Sequence, residues 1–136
     1  MKLAGKTALV ARGAATAAVA AVLRRAGARV ETEATLAVAA EKFGGVDIVF
    51  APAEAGLVHA TIPYLRDNGT IIVYGHAVAH PPAALLEPRR IRVNSVVADA
   101  TTPPHQIAEA VLHLASDDAF TTQGEEVMLT TLALAS

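Results

Sequence analysis

Residues 6–30, KTALVARGAATAAVAAVLRRAGARV, contain two short apolar runs separated by an alanine-rich segment. The runs Lys6–Val10 and Ala28–Val30 have the length and composition of buried strands, and the segment from about Ala14 to Ala26 is long enough for a helix. Gly27 is a typical residue at which such a helix ends. The stretch therefore predicts a strand–helix–strand unit, which is the opening of a doubly wound parallel sheet.

The remainder of the chain continues this alternation of strands and helices. Further strands are predicted at Val46–Ala51, Thr70–Tyr74, Ile91–Ala98 and Glu126–Thr130. Further helices are predicted at about Glu33–Phe43, Leu57–Arg66, Ala83–Glu87 and His105–Ala115. Asp67-Asn68-Gly69 predicts a turn before the fourth strand. The 136 residues therefore suit one α/β domain that spans positions 1–136.

The composition argues against several kinds of partner. A net charge of −2 with mixed signs leaves no basic stripe, so we expect no nucleic-acid partner. The absence of cysteine excludes disulfides, thiol catalysis and thiolate metal sites, and agrees with a cytoplasmic location. The apolar segment Ala14–Leu23 is too short to span a bilayer, so we expect a buried helix and no membrane partner. A hydrophobic content of 53% favours a homo-oligomer, at least a dimer.

Five segments of this scaffold form an ordered set: Leu3–Val10, Gly44–Val49, Leu65–Ile72, Arg89–Val96 and Gln106–Ala119. Together they resemble segments of the short-chain dehydrogenase/reductase family. The resemblance implies a Rossmann-like sheet of about six strands. In the family's strand numbering the implied order is 2-1-4-5-6-7. The family's third strand with its helix, and parts of later helices, are missing, so the chain resembles a truncated member whose second strand lies at an edge.

The family's dinucleotide-binding motif is altered in this chain. Its Thr-Gly-x-x-x-Gly-x-Gly is replaced by the segment Ala11–Ala18, and each added Cβ obstructs the approach of a pyrophosphate to the backbone. Gly13 and Glu31 keep a cofactor-binding role available, because Glu31 stands where the family has the acidic residue that binds the adenosine ribose. We nevertheless expect no nicotinamide cofactor.

The family's catalytic Tyr-x-x-x-Lys pair is absent. Tyr64 and Tyr74 are followed four residues later by Asn68 and Val78, and all the lysines lie in the first third of the chain. The resemblance therefore implies a degenerate member without ordinary hydride transfer.

Polar residues nevertheless follow the carboxyl ends of the predicted strands, where an open parallel sheet binds its ligands. His76 aligns near the family's catalytic serine and is the preferred general acid or base, because an imidazole titrates near neutrality. Tyr74 can donate a hydrogen bond to a substrate oxygen, and Glu54 or Asp99 can orient His76. The candidate substrate-binding residues are Arg12, Thr101 and His80.

A metal site is not expected. His76 and His80 would share one face of a helix, but Gly75 and Pro81 favour a loop, and no third ligand stands at a defined spacing.

The preferred hypothesis is a repurposed scaffold that performs non-redox acid/base chemistry on a small apolar substrate. Isomerisation, cyclisation, dehydration and elimination belong to this class. Three alternatives stay open: a residual NAD(P)-dependent oxidoreductase, a non-catalytic binding or assembly module, and an engineered minimal scaffold.

Overall fold

The computed structural model describes residues 3–13, 15–53, 57–75, 86–98, 101–116 and 126–129. The strands are β1 (Thr7–Val10), β2 (Arg29–Glu31), β3 (Val46–Pro52), β4 (Leu65–Tyr74), β5 (Arg92–Ala98) and β6 (Glu126–Leu129). The helices are α1 (Thr16–Arg25), α2 (Leu36–Phe43), α3 (Leu57–Thr61) and α4 (Pro104–Ala115), with short 3₁₀ helices at Ile62–Tyr64 and Glu87–Arg89. None of the helices in these ranges is both long and apolar enough to cross a membrane.

The strands form one parallel sheet in the order β2-β1-β3-β4-β5-β6. This order confirms the predicted arrangement, in which the second strand is an edge and the third strand pairs directly with the first. The register pairs Val10 with Phe50, Pro52 with Tyr74, and Tyr74 with Val96. The carboxyl ends of β1, β3, β4 and β5 therefore lie along one edge of the sheet.

Each face of the sheet is covered by a separate apolar core. Alternate residues of a strand point to opposite faces, so Ala8 and Val10 pack on one side and Leu9 on the other. The first core includes Val19 and Leu23 of α1, together with α4 residues Ile107, Val111 and Leu114. The second includes Ala39 of α2 and Leu86. The prediction of buried parallel strands is confirmed.

The predicted turn at Asp67-Asn68-Gly69 lies inside strand β4 and not before it. Leu65 pairs with Val46, but the next paired residues are Thr70 and Ile48, so the intervening residues form a bulge. Asn68 has a φ of 67°, a conformation that asparagine tolerates better than most residues. The turn residues were recognised correctly, but the strand was predicted five residues too short, because Leu65 pairs beyond the bulge.

Helix boundaries differ from the prediction in two places. The helix predicted at Leu57–Arg66 ends at Thr61 and continues as a 3₁₀ turn containing Pro63, because Leu65 is extended and buried in the sheet. Helix α2 begins at Leu36 and not near Glu33, because Thr35 is extended and its hydroxyl caps the helix by accepting a hydrogen bond from Val38 N at 3.3 Å. The helix predicted at Ala83–Glu87 lies mostly outside the described residues.

A polar cluster holds the amino-terminal edge of the sheet together. Asp47 Oδ2 accepts hydrogen bonds from Thr7 N at 2.9 Å, Thr7 Oγ1 at 3.2 Å and Arg66 Nη1 at 3.1 Å. Arg66 also donates to the carbonyl of Phe43. Because Arg66 belongs to the bulge, this cluster connects the irregular part of β4 to strands β1 and β3.

Candidate functional site

A small cavity lies at the carboxyl edge of the sheet, where β1, β3 and β4 end. Its volume is about 30 Å³, and its lining residues are Ala11, Arg12, Gly13, Ala15, Thr16, Phe50, Pro52 and Tyr74. The rings of Phe50 and Tyr74 meet edge to face, with centroids 5.6 Å apart and an interplanar angle of 64°. The structure therefore brings two of the predicted site residues, Arg12 and Tyr74, to one cavity.

The loop between β1 and α1 is closed by its own hydrogen bonds. Thr16 Oγ1 donates to the carbonyl of Ala11 at 2.6 Å, and Thr16 N donates to the carbonyl of Gly13 at 3.2 Å. Ala11 N in turn donates to the carbonyl of Phe50 at 2.9 Å. Ala15 is buried in the core beneath the loop. The chain therefore satisfies polar groups of this turn with its own atoms.

This loop does not fit the pyrophosphate of a dinucleotide in the way the family's glycine motif does. Arg12, Thr16 and Ala18 occupy the places of the three glycines, and the Thr16 hydroxyl is already bonded to the backbone. Gly13 remains, but a Cβ built there would meet no heavy atom within 4 Å, so no neighbouring backbone requires glycine at this position. The side chains present oppose the close approach that the motif normally allows.

Glu31 is engaged by a neighbouring lysine. Lys42 Nζ donates to Glu31 Oε2 at 2.8 Å, and Glu33 N donates to Oε1 at 3.3 Å. The hydrogen bond from Lys42, the bond from the Glu33 backbone and the lysine charge together lower the pKa of Glu31 below its ordinary 4.5. A ribose at this position would have to share the carboxylate with Lys42.

Arg12 belongs to a second, looser ion pair. Its Nη2 lies 3.6 Å from Glu33 Oε1, and the two side chains are 77% and 74% exposed. Such an exposed pair contributes little to stability, so Arg12 stays available for an anionic group on a ligand.

The backbone ties the ends of three neighbouring strands together at this edge. Ala53 N donates to the carbonyl of Tyr74 at 3.0 Å, and Gly75 N donates to the carbonyl of Val96 at 2.9 Å. A Cβ on Gly75, whose φ is 126°, would lie 3.2 Å from the Cβ of Ala53. The ends of β3 and β4 are therefore in close contact.

Four predicted site residues, Glu54, His76, His80 and Asp99, lie outside the described residues. Thr101 is described and exposed. In the ranges that the structure covers, no group of three or more His, Asp or Glu side chains could hold a metal ion.

Sequence reasoning missed two features of the site. Phe50 and Pro52 line the cavity beside Tyr74, although neither was among the predicted site residues. Their position on a strand adjacent to β4 was the available signal. The pairing of Lys42 with Glu31 was also missed, because it joins a strand to the far end of the following helix and leaves no short-range spacing pattern.

No protein-family model and no curated protein matches the chain. Solved structures do match it.

A short-chain dehydrogenase/reductase from Serratia marcescens BCRC 10948 has a TM-score of 0.74 at 21% identity, over 96% of this chain and 98% of that chain. The NADH enoyl-[acyl-carrier-protein] reductase of Aquifex aeolicus VF5 has a TM-score of 0.73 at 16% identity, over 98% and 99%. The Bacillus cereus enoyl-acyl carrier protein reductase, solved with NADP⁺ and indole naphthyridinone, has a TM-score of 0.73 at 15% identity, over 95% and 96%. The chain therefore has the fold of the short-chain dehydrogenases/reductases, as its sequence motifs predict.

Proposed function

We propose that this chain uses the short-chain dehydrogenase/reductase fold for non-redox acid/base chemistry on a small, largely apolar substrate. Isomerisation, cyclisation, dehydration and elimination are the reactions of this class. The observation that carries the proposal is that the sequence has no tyrosine followed four residues later by a lysine, which is the catalytic pair of the family. Tyr74 stands at the carboxyl edge without a lysine four residues later, and Lys42 is bonded to Glu31.

The chemistry of the cavity lining favours an apolar group beside one hydrogen-bonding group. Ala11, Ala15, Phe50 and Pro52 supply apolar surface, and Tyr74 adds a phenol. The volume of about 30 Å³ has room for one small group of a ligand, so the remainder of a substrate would lie outside this cavity.

In the proposed mechanism, His76 takes or gives the proton that moves during the reaction. Tyr74 donates a hydrogen bond to the substrate oxygen, and Glu54 or Asp99 orients the imidazole and balances its charge. Arg12 meets any anionic group, while Thr101 and His80 bind the remainder of the substrate. We place this activity in the cytoplasm.

The test is a substrate panel assayed with and without NADPH. Small apolar ketones, epoxides, alcohols and alkenes are incubated with the protein, and the products are identified by mass spectrometry. We expect turnover of at least one compound without nicotinamide, reduced by about a hundredfold or more in His76→Ala. His113→Ala, in helix α4, is the matched control and should retain turnover. Turnover that depends strictly on NADPH would contradict the proposal.

A residual NAD(P)-dependent oxidoreductase is the second candidate function. It is favoured by the fold it shares with an NADH enoyl-[acyl-carrier-protein] reductase and with a reductase solved with NADP⁺, and by the exposed Arg12 in the loop before helix α1. Against it stand Thr16 and Ala18 in the glycine positions. The affinity for NAD(H) or NADP(H), measured by direct titration, distinguishes the two functions.

We also propose that the chain forms a homodimer through α4 and β6. A groove of about 390 Å³ lies between α1 and α4 and is lined by Val22, Arg25, Ala26, Glu109 and Leu112. Its half-buried apolar side chains favour contact with another protein surface. An assembly module without catalysis would use this contact and show no turnover in the substrate panel.

A further inference from the structure

A second, polar cleft lies at the opposite end of the sheet from the cavity. It occupies about 230 Å³ between the bulge of β4 and the 3₁₀ helix that precedes β5, and it is lined by Asp67, Asn68, Pro88, Arg89 and Arg90. None of these residues takes part in the proposed catalytic site. A ligand here would therefore bind independently of the chemistry at the carboxyl edge.

Arg89 is held in place on one side of the cleft. Its Nε donates to Asp67 Oδ1 at 3.0 Å, its Nη1 donates to the carbonyl of Ile62 at 2.9 Å, and its Nη2 donates to the carbonyl of Leu65. The side chain is 34% exposed. Because three of its five N–H groups are used in these bonds, the guanidinium is fixed while two donors remain for a ligand.

Arg90 contributes a second positive charge to the cleft. Its side chain is exposed, and among the described residues it makes no hydrogen bond or ion pair. Its φ is 55°, and its backbone N–H donates to the carbonyl of Glu87 at 3.1 Å. A left-handed arginine is uncommon, since the conformation crowds the Cβ, and it persists only where the surroundings hold it.

Asn68 lies in the same cleft and has the same unusual backbone. Within the described ranges, Asn68 and Arg90 are the two residues other than glycine with a positive φ. The carboxamide of Asn68 adds neutral donors and an acceptor to the cleft. The described lining residues carry two guanidinium groups and one carboxylate, that of Asp67, so positive charge is in excess among them.

We propose that this cleft binds the phosphate group of a soluble small molecule. Guanidinium groups match the oxygens of phosphate with paired, charge-assisted hydrogen bonds. Arg89 supplies a guanidinium that is already held in position, Arg90 supplies a second positive charge, and Asn68 supplies an amide donor.

Titration with inorganic phosphate at constant ionic strength, maintained with sodium chloride, tests this proposal. Binding is measured by calorimetry and by amide chemical shifts, which should move near Asn68 and Arg90. In Arg90→Gln the affinity should fall by about fivefold or more, because a charge-assisted hydrogen bond is lost. Arg24→Gln, on the exposed surface of α1, is the matched control and should change the affinity less than about twofold.

Arg12→Gln tests the rival site at the carboxyl edge. If phosphate binding is weakened by this change and not by Arg90→Gln, the cleft is not the site. An absence of saturable binding up to about 20 mM phosphate, near the weak end of measurable affinities, would also overturn the proposal.

Discussion

Lys42 and Glu31 join helix α2 to the edge strand β2 through a 2.8 Å hydrogen bond between Nζ and Oε2. The carboxylate has a pKa below its ordinary 4.5, chiefly because of this bond. A group whose pKa is lowered in the folded state stabilises that state above its unfolded pKa, and the effect is lost as the pH falls through the folded pKa.

Lys42→Gln should therefore lower the melting temperature near neutral pH and have a smaller effect in acid. Thermal unfolding at about pH 7 and about pH 2.5 measures the difference, which should be smaller at the lower pH because protonation of Glu31 removes its charge from the pair. Glu41→Gln is a suitable control on the same helix. A deficit in Lys42→Gln that is equally large at both pH values would contradict the assignment.

The altered glycine motif predicts weak nicotinamide binding. Because Arg12, Thr16 and Ala18 carry side chains where a pyrophosphate would meet the backbone, NAD(H) and NADP(H) should bind no better than about millimolar. Calorimetric titration measures this directly. Low-micromolar affinity for either cofactor would restore the oxidoreductase hypothesis.

The bulge in β4 predicts different outcomes for two glycine substitutions. A Cβ at Gly69 would lie 2.9 Å from the carbonyl oxygen of Arg66 and 3.2 Å from the Cβ of Leu65. Gly69→Ala should therefore destabilise the fold by about 1–3 kcal/mol. Gly13→Ala, where the space is open, should change stability by less than about 0.5 kcal/mol. Denaturant unfolding compares them, and equal effects would show that the bulge is not tightly packed.

Self-association should depend on helix α4. Leu112 lies half-buried beside the groove, and Leu112→Glu should dissociate the proposed dimer because a charge would be buried in its interface. Val38 is 53% exposed on α2, on the other face of the sheet, so Val38→Glu should leave the dimer intact. Analytical sedimentation measures the oligomeric state of both variants. A wild-type chain that is monomeric at high micromolar concentration would contradict the dimer.

Tyr74 should be required for turnover but not for folding. Its ring packs against Phe50, and this contact is retained in Tyr74→Phe. Removing only the hydroxyl should reduce turnover by about tenfold or more, since a hydrogen bond to the reacting oxygen is lost. Tyr64→Phe, on the 3₁₀ helix before β4, is the control. Full activity in Tyr74→Phe would exclude the proposed role.

The sheet was predictable from the sequence because its central strands are buried on both faces. Val46–Ala51 is mostly apolar without a helical period, and the strand order follows from the resemblance to the family. The bulge was harder to predict, because the same turn residues occur whether a strand continues or begins after them. Leu65 joined the strand only through its pairing with Val46, a contact that is distant in sequence.

The part of the candidate site that could be predicted from the sequence is the set of residues that follow the carboxyl ends of the strands. Tyr74 and Arg12 line one cavity because β1 and β4 both neighbour β3. The hydrogen bond of Glu31 to Lys42 could not be predicted, because it depends on how far a lysine side chain reaches from the next helix. The roles of His76, Glu54, His80 and Asp99 stay predictions.

The hydrogen bond from Thr16 to Ala11 also bears on how this protein responds to its surroundings. A protein whose turn is completed by a ligand gains stability in proportion to the logarithm of ligand concentration. Here a hydroxyl of the chain itself closes the turn. Together with the weak nucleotide binding predicted above, this implies a folded fraction that changes little with nucleotide concentration.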